Sequence, residues 1–334
     1  MRVFSSPWLA VSHAVALCAM LLALCVSADA QQSKKAPRIG FLSAVSPPTI
    51  TARVEAFRQG LHDLGYVEGQ NIILEYRWAE NREDQYPALV ADLIRLKVDI
   101  IFTSSTPAIL VAKQATKTIP IVFPVSSDPV SVGIVNSFAR PGGNATGLSS
   151  MASDLWPKRM ELLKEAFPKV TRLAMIWNSS NPGMKLRAKE TVASAGPLGV
   201  TVQDRGVSNL GGLEGVFATL SKDRSDALLV MVDPFTRFHL KRILEFAANN
   251  RLPAMYEDRS FVEAGGLISY GPWNAELYRR SAKYIDKILK GANPADLPVE
   301  QPTKFDLVIN LKTAKQIDVI IPPNVLARAD KVIR

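Results

Sequence analysis

Small polar residues recur where short apolar runs of the sequence end. They are Ser43, Ser104, Ser105, Thr106, Ser126, Asp128, Asn178, Asp233, Tyr256 and Tyr270. The hydroxyl and backbone N–H groups of Ser104 to Thr106 suit a carboxylate, whereas Asp128 or Asp233 suits an ammonium group. Tyr256 and Tyr270 add rings that could stack on a ligand. These residue types predict non-covalent capture of a small polar molecule, provided that the fold brings them together.

The same residues could instead have a purely structural role as helix caps. Ser, Thr and Asp are preferred at helix N-caps whether or not a ligand is bound. No single residue therefore identifies a site, and it is the repetition after successive apolar runs that favours binding by some of them.

Residues suited to catalysis are sparse. Cys18 and Cys25 both lie near the N-terminus, and His62 and His239 each stand alone within a polar helical segment. Neither a zinc-ligand spacing nor a local Ser-His-Asp arrangement is present. The glycine-rich segment 141–147 lacks the Lys-Ser/Thr ending of a phosphate-binding loop and precedes a strand. We therefore expect no metal, no cofactor and no enzymatic activity.

The apolar runs alternate with segments of helical periodicity, which predicts two α/β units with parallel sheets. Predicted strands are 38–43, 71–78, 99–103, 121–125 and 145–148, then 172–177, 200–203, 227–232, 254–256, 266–270 and 304–309. Predicted helices are 51–64, 84–97, 106–116 and 130–139, then 155–167, 183–195, 210–221, 236–250, 275–289 and 311–316. Because ligands bind beyond the carboxyl ends of parallel strands, the polar residues should meet at one cleft.

The N-terminal segment differs in kind from the rest of the chain. Residues 14–26 are almost uniformly apolar, and Ala28-Asp29-Ala30 matches a signal-peptidase site. The run is shorter than the ~18 residues that a membrane span requires. Residues 1–30 are therefore predicted to be a cleaved signal peptide that directs the protein to the periplasm. A lipid anchor at Cys25 is less favoured, because the bulky Leu24 precedes it where a small residue is needed.

The charge pattern bears on possible partners. The formal net charge is +9, with 40 basic and 31 acidic residues. The basic residues are interspersed with acidic ones and form no run or aromatic-interleaved stripe, which argues against a nucleic-acid site.

Four segments together resemble the ABC-transporter substrate-binding family of type I periplasmic-binding fold, whose relatives include the tryptophan- and phenylalanine-binding type. The segments are RIGFL at 38–42, FRQGLHDLGYVEGQN at 57–71, DPV at 128–130 with ARPGGN at 139–144, and FDLVINLKTAK at 305–315. The resemblance spans residues 37–334.

The resemblance implies a Venus flytrap of two doubly wound parallel-sheet lobes joined by a three-crossing hinge. The first lobe would comprise 37–152 plus about 272–301, and the second 153–271 plus about 302–334. Ligand contacts are implied near Ser43, Ser104 to Thr106, Ser126 to Asp128, Asn178, Asp233 and Tyr256. A monomer would close on a small polar ligand, an amino acid or similar carboxylate, and deliver it to an ABC permease in the inner membrane.

Two other functions stay open at this point. The same clamp could serve as a ligand-sensing partner of a membrane receptor. A periplasmic hydrolase could use Asp233 with Glu257 or Asp258 as a carboxylate pair, although it would lack a histidine base.

Overall fold

The structure is a computed structural model that describes residues 35–126, 128–152, 154–223 and 225–334. The predicted signal peptide and Cys25 lie outside the described residues. Pro37–Arg334 forms one compact unit, and its strands form two sheets. No helix in the described part of the chain is long and apolar enough to cross a membrane.

The first sheet has the order β2-β1-β3-β4-β5, and all its strand pairs are parallel. Its elements are β1 (Arg38–Ser43), α1 (Pro47–His62), β2 (Ile73–Trp78), α2 (Tyr86–Arg95), β3 (Ile100–Thr103), α3 (Thr106–Ala115), β4 (Ile121–Ser126) and β5 (Ala145–Ser149). A short 3-10 helix, Glu83–Gln85, precedes α2. The helices α1, α2 and α3 supply the crossovers that the parallel strands β1 to β4 require. β4 and β5 are joined by a connection in which the described residues form turns and no helix.

The second sheet has the order β12-β11-β10-β9-β8-β6-β7. Its elements before the long helix are α4 (Trp156–Ala166), β6 (Arg172–Asn178), α5 (Pro182–Ala193), β7 (Thr201–Val207), α6 (Leu210–Leu220), β8 (Ala227–Val230), α7 (Pro234–Phe238), α8 (Leu240–Asn249), β9 (Ala254–Tyr256), α9 (Arg259–Glu263) and β10 (Ile268–Gly271). The long helix is α10 (Asn274–Leu289), and after it come β11 (Asp306–Asn310), α11 (Leu311–Gln316), α12 (Pro323–Leu326) and β12 (Lys331–Ile333). The predicted class, two α/β lobes built on parallel sheets, is confirmed.

One strand pair departs from the parallel pattern. β11 runs antiparallel to β10, with Ile268 opposite Ile309. Between these two strands the chain forms α10, which packs on the first sheet, and then returns. When the chain returns to the second sheet, β11 pairs directly with β10 in the antiparallel direction.

Each sheet separates two apolar clusters because successive side chains of a strand point to opposite faces. In β1, Phe41 contributes to one cluster and Leu42 to the other. In β6, Met175 and Ile176 divide in the same way. Burial on both faces explains why these strands read as continuous apolar runs in the sequence.

α10 follows β10 in sequence but packs against the first sheet. Leu277, Ala282 and Ile285 join the apolar cluster that also contains Phe57 of α1. This packing places α10 beside the first sheet. The chain passes between the two sheets three times, through 150–155, 272–273 and 301–305.

The predicted helix at 130–139 is wrong. The structure has turns there, and Ile134 and Val135 both donate to the carbonyl of Pro129. Gly133 has a φ of +71°, a left-handed conformation that a right-handed helix does not continue through. The apolar residues Ile134 and Val135 are buried in this segment although it lacks the hydrogen bonds of an α-helix. The predicted helix 236–250 is also divided, into α7 and α8 at His239.

Gly60 sets the distance between α1 and α10. A Cβ on Gly60 would lie 2.2 Å from the carbonyl oxygen of Arg279. We expect Gly60→Ala to push the two helices apart and lower the free energy of unfolding by about 1–3 kcal/mol, the usual cost of overpacking. Urea unfolding followed by far-UV circular dichroism measures the change.

Gly215 of α6 supplies the matched control. It is a helical glycine whose added Cβ would meet nothing within 4 Å. Gly215→Ala should therefore raise stability by up to ~1 kcal/mol through helix propensity alone. An unchanged unfolding midpoint in Gly60→Ala would contradict the close approach of the two helices.

Candidate functional site

A cleft lies between the carboxyl ends of the two sheets. It holds about 840 Å³ of space not filled by protein atoms, part of which is open to solvent. The first lobe lines it with the loops after β1 and β3, and the second lobe with the loops after β8 and β9. Ser150, Ala152 and Pro272 of two crossings complete the wall.

The structure brings only some of the predicted ligand-binding residues to this cleft. Those that line it are Ser43, Ser104, Ser105, Thr106 and Asp233. Ser126, Asp128, Asn178, Tyr256 and Tyr270 do not line it. Their predicted roles in direct contact are therefore not supported by their positions.

The residues outside the lining have other partners. Tyr256 is fully buried and stacks on Phe261, with ring centroids 5.2 Å apart. Tyr270 packs beside Phe305. The carboxylate of Asp128 accepts a hydrogen bond from the backbone N–H of Ser131. The face of the sheet to which an aromatic side chain points decides whether it reaches the cleft. Here the rings of Tyr256 and Tyr270 pack against other side chains of the second lobe.

Ser126 and Asn178 form hydrogen bonds with residues that line the cleft. The carbonyl of Ser126 accepts a hydrogen bond from the backbone N–H of Ser150, at the first crossing. The Nδ2 of Asn178 donates to Oδ2 of Asp233 at 2.7 Å. Both residues therefore fix groups that line the cleft and do not line it themselves.

The first lobe presents the start of α3 to the cleft. Ser105 is the N-cap residue, but its side chain makes no capping hydrogen bond. Its hydroxyl lies 3.3 Å from that of Tyr86, and the hydroxyl of Tyr278 donates to Ser104 at 2.8 Å. The first N–H groups of a helix carry partial positive charge, so this corner can accept a negatively charged or hydrogen-bond-accepting group.

Asp233 is the acidic group of the second lobe that sequence reasoning placed correctly at the cleft. Its Oδ1 accepts from the backbone N–H of Thr236 in a capping box, and its Oδ2 accepts from the side-chain amides of Asn178 and Asn181. Among the described residues, no lysine, arginine or histidine forms an ion pair with it. Burial raises the pKa of Asp233, and the hydrogen bonds oppose this effect. Burial is the larger effect, so the pKa of Asp233 lies above its ordinary value.

Asp258 joins the two lobes. It forms ion pairs with Arg53 of α1 and with Arg237 of α7, the second at 2.8 Å. It also accepts hydrogen bonds from Asn274, at the start of α10, and from the backbone N–H of Ser260. Burial alone would raise the pKa of Asp258, but the two arginines hold it well below its usual range.

Glu257 is a second neutralised carboxylate in the cleft wall. It pairs with Arg187, whose side chain is 1% exposed. The hydrolase alternative needs a carboxyl group that releases and takes up a proton. Asp258 stays ionised at neutral pH because of its arginines, so it does not suit that role.

Three arginines of the cleft were missed from the sequence: Arg53, Arg159 and Arg237. All three lie on helices, where arginine is usually solvated. The sequence contains no periodic signal that separates them from surface arginines. The described residues also contain no cluster of His, Cys, Asp or Glu that could hold a metal ion.

The model of one protein family, ABC transporter substrate binding protein, matches residues 38–333. The chain belongs to that family. Its members are binding proteins, and the resemblance seen in the sequence is confirmed.

A curated relative of this substrate-binding protein is the tyrosine-binding protein of Clostridioides difficile (strain R20291). It is 28% identical over 286 residues, which cover 86% of this chain and 82% of the relative. Among solved structures, the ABC domain in complex with L-Trp from Streptococcus pneumoniae is 27% identical. That match covers 90% of this chain and all of the other, with a TM-score of 0.83.

A third similar structure is the ligand-free, open form of a substrate-binding protein with adhesive properties from Clostridium difficile. It is also 27% identical and covers 89% of this chain and 99% of its own, but the TM-score is 0.65. At equal identity, this chain is more similar in structure to the L-Trp complex than to the ligand-free, open form.

Loss of the Asp258 carboxylate should destabilise the protein. Asp258→Asn leaves Arg237 buried without a counter-charge, which costs about 3–5 kcal/mol in comparable buried pairs. Because the folded-state pKa is depressed, this stabilisation is present at neutral pH and is lost as the pH falls below about 4. Chemical unfolding at pH 7 and at pH 3 measures both effects.

The matched control is Asp223→Asn. Asp223 also pairs with an arginine, Arg205, but its side chain is 54% exposed. The loss should be no more than ~1 kcal/mol. Equal losses in the two variants would show that the Asp258 cluster contributes no more than a surface ion pair.

Proposed function

We propose that this chain is the exported ligand-binding component of an ABC uptake system for an α-amino acid. The observation that carries the proposal is Asp233, a buried carboxylate that lines the cleft and has no cationic partner among the described residues. A ligand ammonium group would supply the missing charge. The printed ligands of two relatives, tyrosine and L-Trp, belong to the same chemical class.

The remaining cleft wall suits an apolar side chain. Val45, Ile50 and Val125 line it from the first lobe, and Met184 and Val232 from the second. Burial of an aromatic or aliphatic side chain among these residues would favour binding by about 25 cal/mol per Å². The proposed ligand is therefore an amino acid with a large apolar or aromatic side chain.

Lobe closure accounts for capture and release. A ligand that touches both lobes is held best when the lobes meet, so it shifts the population towards the closed form. The Arg53–Asp258 pair joins α1 of the first lobe to the loop after β9 of the second. Opening the cleft would break it, while Arg237 would keep Asp258 neutralised within the second lobe.

Cellular context completes the proposal. Residues 1–30 would be removed on export, and the protein would act as a monomer in the periplasm. The closed, loaded form would be recognised by an ABC permease in the inner membrane. Lobes comprising 37–152 with about 272–301, and 153–271 with about 302–334, would move as the two halves of the clamp.

Amino acids should stabilise residues 31–334 after endogenous ligand has been removed by partial unfolding and refolding. At a hundredfold excess over its dissociation constant, a ligand adds ~2.7 kcal/mol. This should raise the unfolding midpoint by a few degrees in a protein of this size. Differential scanning fluorimetry with the twenty amino acids, nucleosides and sugars tests the ligand class.

Two outcomes would count against the proposal. A shift produced by a sugar or nucleoside, but by no amino acid, would contradict the ligand class. Chromatographic evidence that the stabilising compound is consumed would favour the hydrolase alternative.

Removal of the charge on Asp233 should weaken binding of ligands that carry an ammonium group. Asn caps helices as well as Asp does, so Asp233→Asn retains the helix start but removes the charge. We expect a loss of roughly 2–5 kcal/mol in binding free energy, or at least 30-fold in affinity. Isothermal titration with L-tyrosine and with 3-(4-hydroxyphenyl)propanoate, which lacks the amine, measures the difference.

The pH dependence provides a second readout of the same residue. Because burial raises the pKa of Asp233, it takes up a proton at a higher pH than an exposed aspartate. Affinity for the amine ligand should therefore fall as the pH is lowered towards and through that raised pKa. Asp233→Asn should not show this fall, and an equal fall in the variant would contradict the role of Asp233.

A further inference from the structure

Arg159 is a buried charge for which the fold supplies no counter-charge. Its side chain is 0% exposed, yet it belongs to the cleft wall. No carboxylate of the described residues forms an ion pair with it. The carboxylate with the largest influence on it is Glu257, which is already paired with Arg187. Burying an unpaired charge costs several kcal/mol.

The guanidinium group is held rigidly by the backbone. Its Nε donates to the carbonyl of Tyr270 at 2.7 Å, and its Nη1 donates to the carbonyl of Ala152 at 2.9 Å. One face lies over the ring of Trp156, with 4.8 Å between the guanidinium carbon and the ring centroid. Ala152 belongs to one crossing between the lobes, and Tyr270 lies in β10, two residues before another crossing. Arg159 is thereby fixed at the hinge end of the cleft.

Nη2 is the nitrogen of the Arg159 guanidinium group that takes part in neither of these hydrogen bonds. It is buried and has no hydrogen-bond partner among the described residues. Gly271 lies beside it, and an added Cβ there would be 3.3 Å from Nη2 and 2.2 Å from the carbonyl oxygen of Glu257. Only glycine fits at this position, because the carbonyl oxygen of Glu257 blocks a side chain. Arg159 belongs to the lining of the cleft, and Nη2 is its one nitrogen that lacks an acceptor.

Burial lowers the pKa of Arg159 to about 10. The guanidinium group is therefore still positively charged at neutral pH. A neutral hydrogen-bond acceptor would satisfy Nη2 but would leave the charge uncompensated. An anionic oxygen would satisfy both requirements.

We propose that Arg159 binds the carboxylate of the ligand through Nη2, at the hinge end of the cleft. This deepens the proposed function and rests on it, because Arg159 and Asp233 would together hold the two charges of an α-amino acid. The ligand would then lie with its carboxylate tied to the second lobe before the first lobe closes.

The other positive groups of the cleft are less suited to this role. Arg53 and Arg237 share Asp258. The start of α3 carries only partial charges, and its hydroxyls at Ser104 and Ser105 already contact tyrosines. Binding of the carboxylate at α3 or by the Asp258 arginines is the competing arrangement that the experiment must separate.

The test uses residues 31–334 and three probes in isothermal titration. L-tyrosine carries both charges, L-tyrosinamide lacks the carboxylate, and 3-(4-hydroxyphenyl)propanoate lacks the amine. Wild-type protein should prefer tyrosine over its amide by at least ~30-fold. In Arg159→Gln the preference should shrink to within roughly 3-fold, because tyrosine loses affinity and the amide does not.

Two further variants separate binding from stability. Arg159→Lys keeps a positive charge and should retain part of the preference for tyrosine. Leu213→Ala removes a buried side chain of α6 from the core and should lower the unfolding midpoint but leave the preference intact. If Arg159→Gln fails to fold, Arg159→Lys and the wild-type comparison of acid with amide still decide the question.

The outcomes separate the two proposals. If tyrosinamide binds wild-type protein as tightly as tyrosine, or if Arg159→Gln weakens both equally, Arg159 does not bind the carboxylate. If 3-(4-hydroxyphenyl)propanoate binds as tightly as tyrosine and depends on Arg159, the carboxylate site stands and the amino-acid assignment fails. If no carboxylate probe binds, and L-tryptophan, L-leucine and L-glutamate also fail to bind, both proposals are wrong.

Discussion

A carboxylate shared by two arginines determines how the two lobes meet. Asp258 lies in the second lobe with Arg237, and Arg53 reaches it from the first lobe. The two positive charges would repel each other without the carboxylate. Asn274, at the start of α10, donates to the same oxygen, so one of the crossings is tied to the cluster as well. Asp258 therefore links both lobes and the start of α10 through one side chain.

The topology explains why so many charges can be buried together. Parallel strands in both sheets end at the cleft, and each end is followed by a loop and often a helix start. Backbone N–H groups and small polar side chains at these ends stabilise carboxylates that would be costly elsewhere. Asp233 shows this most clearly, because amides of Asn178 and Asn181 and the N-terminus of α7 hold it from three directions.

Within the cleft, the charges fall into two kinds. Glu257 and Asp258 are neutralised by arginines of the protein. Asp233 and Arg159 have no ion-pair partner among the described residues, and both are buried. Stability alone would favour apolar replacements for unpaired buried charges. Their presence in a substrate-binding protein is consistent with a ligand that supplies the opposite charges.

The sequence by itself determined the α/β class, the order of most elements and the positions of the strand ends, because apolar periodicity and short polar caps are local signals. It therefore placed Ser104 and Asp233 at the cleft correctly. Only the tertiary structure decided which polar residues face the cleft and which support it. In the sequence Arg159 resembles a solvated helix residue, but in the structure the carbonyl groups of Ala152 and Tyr270 accept its hydrogen bonds and the side chain is buried. Such long-range burial leaves no periodic trace, since the atoms that cover a side chain come from distant parts of the chain.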